Sequence, residues 1–283
     1  MCLVSSPALA QPASGLITTE NVTLIPTDWA DGDSFRVKFP DGKEHTVRLY
    51  GADCMEWHVT GDTDARRLRA QRRYFGISGY GDSAADSITL AKSLGEEASK
   101  MVKEKLSRPF RIHTSFADAR GDARYSRIYA FVTTSDGEDL AALLVTQGLA
   151  RAFGVYRSTP EGLSRGDYEA QLQDAELLAA RNGSGAWAFT DWSDFTHQRR
   201  DQRLEDAESQ LALGNIPPAE PLDVNSAAVA ELMQIPGIGK VTANAIIESR
   251  PYETLDDLVR ARGIGASTLE KIRPYLTIAA PKQ

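Results

Sequence analysis

No apolar run in the 283 residues is long enough to cross a bilayer as a helix. Cysteine is scarce, with Cys2 and Cys54 alone, and this pair fits either redox compartment. If the chain is cleaved after Ala10, only Cys54 is left and no internal disulfide can form. Cys2 is not preceded by the small and apolar residues of a lipid-anchored cysteine, which argues against a lipoprotein. The four histidines, His45, His58, His113 and His197, lack metal-ligand spacing. Positive charge is not in excess: 32 Lys and Arg stand against 39 Asp and Glu, for a net charge of −7. A uniformly basic coat is excluded, so a polyanionic partner would have to meet local basic patches or a bridging cation.

The start, Met1 to Gln11, has a small-x-small pattern at Ala8-x-Ala10 that resembles the back half of a secretory signal. A basic leading region and most of an apolar stretch are missing. Residues 1–20 are therefore read as a signal remnant or a flexible tail, with a secreted or periplasmic location expected and a cytoplasmic one as the alternative.

Patterning gives a mixed first unit over 21–190. Phe35, Val37 and Phe39 alternate with Arg36 and Lys38, as in a half-buried strand. Asp41-Gly42 is a hairpin signal before a second strand from Thr46 to Tyr50. Ser93 to Leu106 has helical spacing, Phe110 to His113 and Ile128 to Val132 read as strands, and Leu140 to Gln147 and Tyr168 to Ala180 read as helices. Asn182-Gly183 stops the last of these. This order predicts an α+β fold, a small closed antiparallel barrel with packed helices. A charged helix and the Pro-rich linker Asn215 to Pro221 follow over 191–220. The remainder, 221–279, is all-helical and repeats Gly-Ile-Gly at 237–239 and 263–265, as two helical hairpins side by side would.

The chemistry concentrates between Asp31 and Glu56. Asp31-Gly32-Asp33-Ser34 is a polar turn feeding a strand, and Arg48 to Glu56 ends another strand in acidic and small residues. Taken singly, such a turn is only a turn and such an arginine only a solvated side chain. Together, two strand-end carboxylates can supply hard oxygen ligands to Ca²⁺, a third acid can take a proton from water, and an arginine can pair with phosphate.

These residues resemble the staphylococcal nuclease (thermonuclease) family. Asp31-Gly32-Asp33-Ser34 is similar to its Asp-Gly-Asp-Thr, Arg48 to Glu56 to its Arg-x-x-x-x-Asp-Thr-Pro-Glu, and Arg124-Tyr125-Ser126-Arg127 to its Lys/Arg-Tyr-Gly-Arg. The resemblance implies a five-stranded OB-fold barrel and a Ca²⁺-dependent phosphodiesterase acting on DNA, with RNA left open. It implies Asp33, Asp53 and the Cys54 carbonyl as metal ligands and Glu56 as general base. Arg48 and Arg127 would be the phosphate clamp, and Arg124, Tyr125 and Tyr156 substrate contacts. Cys54, Met55 and Ser126 depart from the family pattern without removing a reacting group. Gly154 stands where a second nucleotide-packing tyrosine is expected, so base and end preference stay open.

An insertion, about His58 to Ser93, carries Arg66, Arg67, Arg69, Arg72 and Arg73 with Tyr74, Phe75 and Tyr80. It reads either as a platform for a single strand beside the cleft or as a solvated helix and loop. The C-terminal segment resembles the tandem helix-hairpin-helix module of bacterial competence DNA receptors. That implies DNA contacts at Gly237, Gly239, Lys240, Gly263 and Gly265, where backbone N–H groups at helix starts meet phosphate. The rival reading is a DNA-binding or uptake factor in which the barrel only binds. No obligate protein partner is evident in the sequence.

Overall fold

The computed structural model describes residues 15–117, 119, 127–214, 218 and 220–278. Residues 1–14 of the expected signal remnant or tail, and the substrate contacts Arg124 and Tyr125, lie outside the described residues. Five strands form a closed barrel: β1 (Ile17–Ile25), β2 (Ser34–Lys38), β3 (Glu44–Leu49), β5 (Phe110–Thr114) and β6 (Arg127–Thr133), in the order β1-β2-β3-β6-β5. The α+β barrel expected from the sequence is therefore present. Strand β1 pairs with β5 from Ile17↔Thr114 onward, so residues 17–20, expected as tail, belong to the barrel.

The barrel is not wholly antiparallel, because β3 and β6 run parallel, with Thr46 opposite Arg127 and Arg48 opposite Tyr129. A parallel pair needs a crossover. Here it is β4 (Ala52–Cys54), α1 (Asp62–Phe75), α2 (Ala84–Lys105) and β5. Alternation on β2 buries Phe35 and Val37 while Arg36 and Lys38 face solvent. Phe35, Val37, Val47 and Ile112 have no exposed surface in the barrel core.

Beyond β6 come α3 (Leu140–Thr146), β7 (Ala150–Ala152), α4 (Arg165–Asn182) and a 3-10 turn over Gly185–Phe189. Strand β7 pairs antiparallel with β4 to form a two-stranded ribbon beside the barrel. Helix α5 (Phe195–Gly214) is the expected charged helix, but its inner side is docked rather than solvated. Gln198 is buried, and the Arg199 guanidinium lies 3.5 Å above the Tyr74 ring of α1. Trp187 stacks on Trp192 and meets Phe195 edge-on, so this aromatic group packs the start of α5 against the first unit.

The C-terminal unit opens on β8 (Leu222–Asp223) and α6 (Val229–Leu232). It continues through α7 (Lys240–Glu248), a 3-10 turn (Leu255–Arg260) and α8 (Ala266–Ile272), and closes on β9 (Leu276–Thr277), parallel to β8. Its core is Val224, Leu232, Ile235, Ile238, Ile246, Leu258, Ile264, Leu269 and Ile272. The two Gly-Ile-Gly turns repeat in geometry as well as sequence. Gly237 and Gly263 have φ of 92° and 93°, a region L side chains rarely adopt. Gly239 and Gly265 are the N-caps of α7 and α8, without a capping side chain.

Candidate active site

The site forms where β2 begins, β3 ends and the β4–β7 ribbon leaves the barrel. The Ser34↔Arg48 pairing sets Asp33 beside Arg48. The turn before it is held by its own polar groups: the Ser34 N–H donates to Asp31 Oδ1 at 2.7 Å, and the Leu49 N–H to the Asp33 carbonyl at 2.9 Å. Gly32 is required by close approach, since a Cβ there would lie 2.6 Å from Cys54 Sγ and 2.7 Å from Ala98 of α2. Asp53 faces Arg151 across the ribbon.

These placements gather Asp31, Asp33, Asp53 and Glu56 with Arg48, Arg67, Arg127 and Arg151. Asp33 and Asp53 each lie 2.7 Å from Arg48, and Arg151 Nε is 2.7 Å from Asp53 Oδ2. Arg67 of α1 lies 2.6 Å from Glu56 Oε1 and 3.5 Å from Asp53. Arg48 and Arg127 both donate to Ser34 Oγ, at 3.3 and 3.4 Å, so the two expected clamp residues converge on one point. Arg127 Nε is buried there without a hydrogen-bond partner among the described residues.

Charge and burial tune these groups. Burial raises the Asp31 carboxyl well above its ordinary range, and the like charges of Asp33 and Glu56 push it further. Burial also pushes Glu56 up to about 7, with Asp33 and Asp53 adding and Arg67 opposing. For Asp53 the burial penalty is outweighed by Arg151, Arg48 and Arg67, which hold it well below the usual carboxylate range. Burial lowers Arg127, and neighbouring Arg48 lowers it further. The Cys54 thiol is raised by burial and by Asp33 and Asp31, so it stays protonated and is no nucleophile.

Asp33, Arg48, Asp53, Glu56 and Arg127 are thus brought together. Cys54 is adjacent, though its N–H already donates to Asp33 Oδ2 at 2.6 Å and its carbonyl accepts from Gln71 Nε2 at 2.6 Å. Tyr156, expected as a substrate contact, is only 7% exposed, and its ring lies within contact of Gly51. It offers no open face for stacking. The five insertion arginines do not form one platform. Arg67 enters the site, Arg69 and Arg73 pair with Glu205 of α5, Arg72 donates to Ser87 Oγ at 3.1 Å, and Arg66 stays exposed. Tyr74 and Phe75 pack with Trp187.

Four members of the site were not singled out for it in the sequence: Asp31, Arg67, Gln71 and Arg151. The spacing of Leu68, Gln71 and Phe75 along one helix face is the signal that could have found Gln71. In the C-terminal unit Gly237, Gly239, Gly263 and Gly265 occupy the turns expected of them. Lys240 opens α7, its Nζ 5.2 Å from the centre of the exposed Phe153 ring, and the Arg151 guanidinium lies 4.0 Å from the same ring centre.

The family model described as staphylococcal nuclease homologue matches residues 46–189, and the one described as helix-hairpin-helix motif matches 218–277. A protein named Deoxyribonuclease from Thioalkalivibrio sp. (strain K90mix) is 46% identical over 52 residues, covering 18% of this chain and 14% of its own length. ComE operon protein 1 of Bacillus subtilis (strain 168) is 34% identical over 61 residues, covering 20% and 30%. Endonuclease/exonuclease/phosphatase family domain-containing protein 1 of Homo sapiens is 28% identical over 157 residues, covering 50% and 26%. The chain therefore spans less than a third of the length of each of these relatives.

Proposed function

The chain belongs to the family of staphylococcal nuclease homologues, and on that premise we propose that it is a calcium-dependent phosphodiesterase that cuts DNA. RNA is a second substrate to be tested. The observation that carries the reading is the convergence of Arg48 and Arg127 on Ser34 Oγ, beside four carboxylates, with Arg127 Nε buried and unpaired among the described residues. Two guanidinium groups aimed at one point suit a phosphate, which accepts such donors in bidentate fashion.

Whether the residues fit a calcium ion is answered by donor chemistry. The acidic side chains are hard oxygen donors, the kind Ca²⁺ takes. Asp31 is driven up partly by like charge, a strain that a cation would relieve. Among the described residues no group of three His, Cys, Asp or Glu is already arranged to hold a metal. Asp53 is occupied by Arg48, Arg151 and Gln71. Binding would therefore exchange some arginine contacts of Asp33 and Asp53 for the ion. Asp33, Asp53 and Asp31 would hold it, with the Cys54 carbonyl offering its second lone pair. When bound, it would polarise a phosphoryl oxygen and lower the charge barrier to attack.

The chain's own residues carry the rest. Glu56 takes the proton of the attacking water as the oxygen–phosphorus bond forms; the opposite ester bond breaks with its electron pair on the leaving oxygen, which takes up a proton from solvent. Its value of about 7 leaves it able to accept a proton near neutral pH. Arg48 and Arg127 receive the charge that grows from one to two on the phosphoryl oxygens. With Asp31 and Glu56 both ionised, the four carboxylates and four guanidinium groups cancel. A divalent cation and a doubly charged transition state then complete the balance, which favours that state over the singly charged ground state.

The helix-hairpin-helix unit is proposed to hold duplex DNA through Gly237, Gly239, Lys240, Gly263 and Gly265, fixing position without reading sequence. Tethering raises the effective concentration of substrate at the barrel. Digestion of plasmid DNA and of RNA with Ca²⁺, Mg²⁺ or chelator tests the reading. Cleavage with Ca²⁺ that chelator stops is the expected outcome; DNA left intact under every condition would favour the binding-only alternative.

A further inference from the structure

The inner face of α1 carries Leu68, Gln71 and Phe75. Leu68 and Phe75 join the apolar core, but Gln71 is an amide with no exposed surface. Burying an amide is unfavourable unless its bonding groups are satisfied. Here they are satisfied by one short stretch of chain. Oε1 accepts the Glu56 N–H at 2.9 Å, while Nε2 donates to the Cys54 carbonyl at 2.6 Å and to Asp53 Oδ2 at 3.0 Å. An amide has two N–H donors and one carbonyl, so the principal capacity of Gln71 is used on residues 53, 54 and 56.

We propose that Gln71 is a positioning residue of the site, setting the Asp53 carboxylate, the Cys54 carbonyl and the Glu56 peptide in one frame. The inference rests on the phosphodiesterase reading above and adds a part from the insertion to it. Helix α1 does not depend on Gln71 for its seat. Leu68 and Phe75 anchor it in the core, Arg72 reaches Ser87 of α2, and Arg69 and Arg73 pair with Glu205 of α5. A separately anchored helix can therefore hold the turn carrying the proposed base. Arg67, one helical turn before Gln71, reinforces this from the outer side through Glu56.

The chemistry also explains why an amide stands there. A glutamate would keep the acceptor for the Glu56 N–H but would set a carboxylate against Asp53 and the Cys54 carbonyl with no N–H to give. Gln71→Glu thus changes the donors at nearly constant shape, and Gln71→Met removes all three bonds while filling similar volume.

The test compares both variants with the wild type in kcat, KM, calcium affinity by calorimetry, and thermal midpoint. A positioning role predicts that kcat and calcium affinity each fall about 10–100-fold, with KM changed less than about threefold. A lowered midpoint with wild-type kcat and calcium affinity in the folded fraction would overturn it, leaving Gln71 a structural residue. Should neither variant fold, hydrogen exchange at the Glu56 amide of the wild type decides. Protection like that of the barrel strands supports the assignment, and exchange at the rate of exposed loops overturns it. A wild type that does not cut DNA removes the proposed function and this inference with it. A wild type that cuts while Gln71→Glu matches it removes only the role of Gln71.

Discussion

The two units of this chain carry their proposed chemistry in opposite ways. In the barrel unit it lies in side chains drawn from segments far apart in sequence: the 31–56 region, α1, the start of β6 and β7. In the helical unit it lies in the backbone of two short turns, and the same φ, 92° and 93°, recurs at Gly237 and Gly263. A side-chain site tolerates backbone variation and fails when one charged group is lost. A backbone site should behave in reverse, depending on where a Cβ is allowed rather than on any one functional group.

The largest expected effect separates the two clamp arginines. Arg127→Ala should lower kcat by about 10²–10³ and leave the thermal midpoint unchanged or raised, because its half-buried guanidinium has few bonds to lose among the described residues. Arg48→Ala should lose both activity and stability, since it strips the ion-pair partner from two buried carboxylates, a change that typically costs 3–5 kcal/mol. Steady-state kinetics with thermal unfolding of both variants checks the contrast, and equal loss of stability in the two would remove it.

Next in size is removal of residues 215–283. Duplex affinity should drop and its dependence on salt should flatten, while kcat on a short single-stranded oligonucleotide stays near the wild-type value. Affinity measured across a salt series reads this directly; an unchanged salt slope would leave the helical unit without a nucleic-acid role.

The smallest effect is the sharpest test of the backbone site. Gly237→Ala puts a Cβ on a residue at φ 92°, which should destabilise the unit by about 1–2 kcal/mol. Gly239 has φ −90° and open space where a Cβ would go, so Gly239→Ala should fold normally and yet weaken duplex binding by blocking close approach of phosphate. Calorimetric unfolding paired with a binding titration distinguishes them. If Gly239→Ala binds as the wild type does, phosphate does not approach that turn.

The same contrast explains what could be read from the sequence. The helical turns are local, so Gly-Ile-Gly repeated at 237 and 263 was visible as a motif. Asp33, Arg48, Asp53, Glu56 and Arg127 were visible because each sits in a short recognisable stretch. Arg67 was not, because five arginines between 66 and 73 do not reveal which one a helix turns inward, and Gln71 was marked only by its spacing with Leu68 and Phe75 on one face. The choice is made by Leu68 and Phe75 finding the core. Arg151 was hidden between Ala150 and Ala152, and only the pairing of β7 with β4 brings it opposite Asp53. Tyr156 could be placed by motif but not by burial, which depends on how the segment after β7 lies against Gly51. The parallel β3–β6 pair was likewise beyond a pattern of alternation, which fixes the face a side chain takes but not the direction of its neighbour strand.

Glu56 is the proposed base of a phosphodiester-cleaving site, and every other assigned catalytic role depends on it. Single-turnover cleavage of a labelled DNA oligonucleotide at saturating Ca²⁺, by wild type and Glu56→Gln, tests it most directly. The variant should cut at a rate lower by about 10²–10⁴, with the fold and oligonucleotide affinity retained. A Glu56→Gln protein that is folded and cuts at the wild-type rate would contradict it.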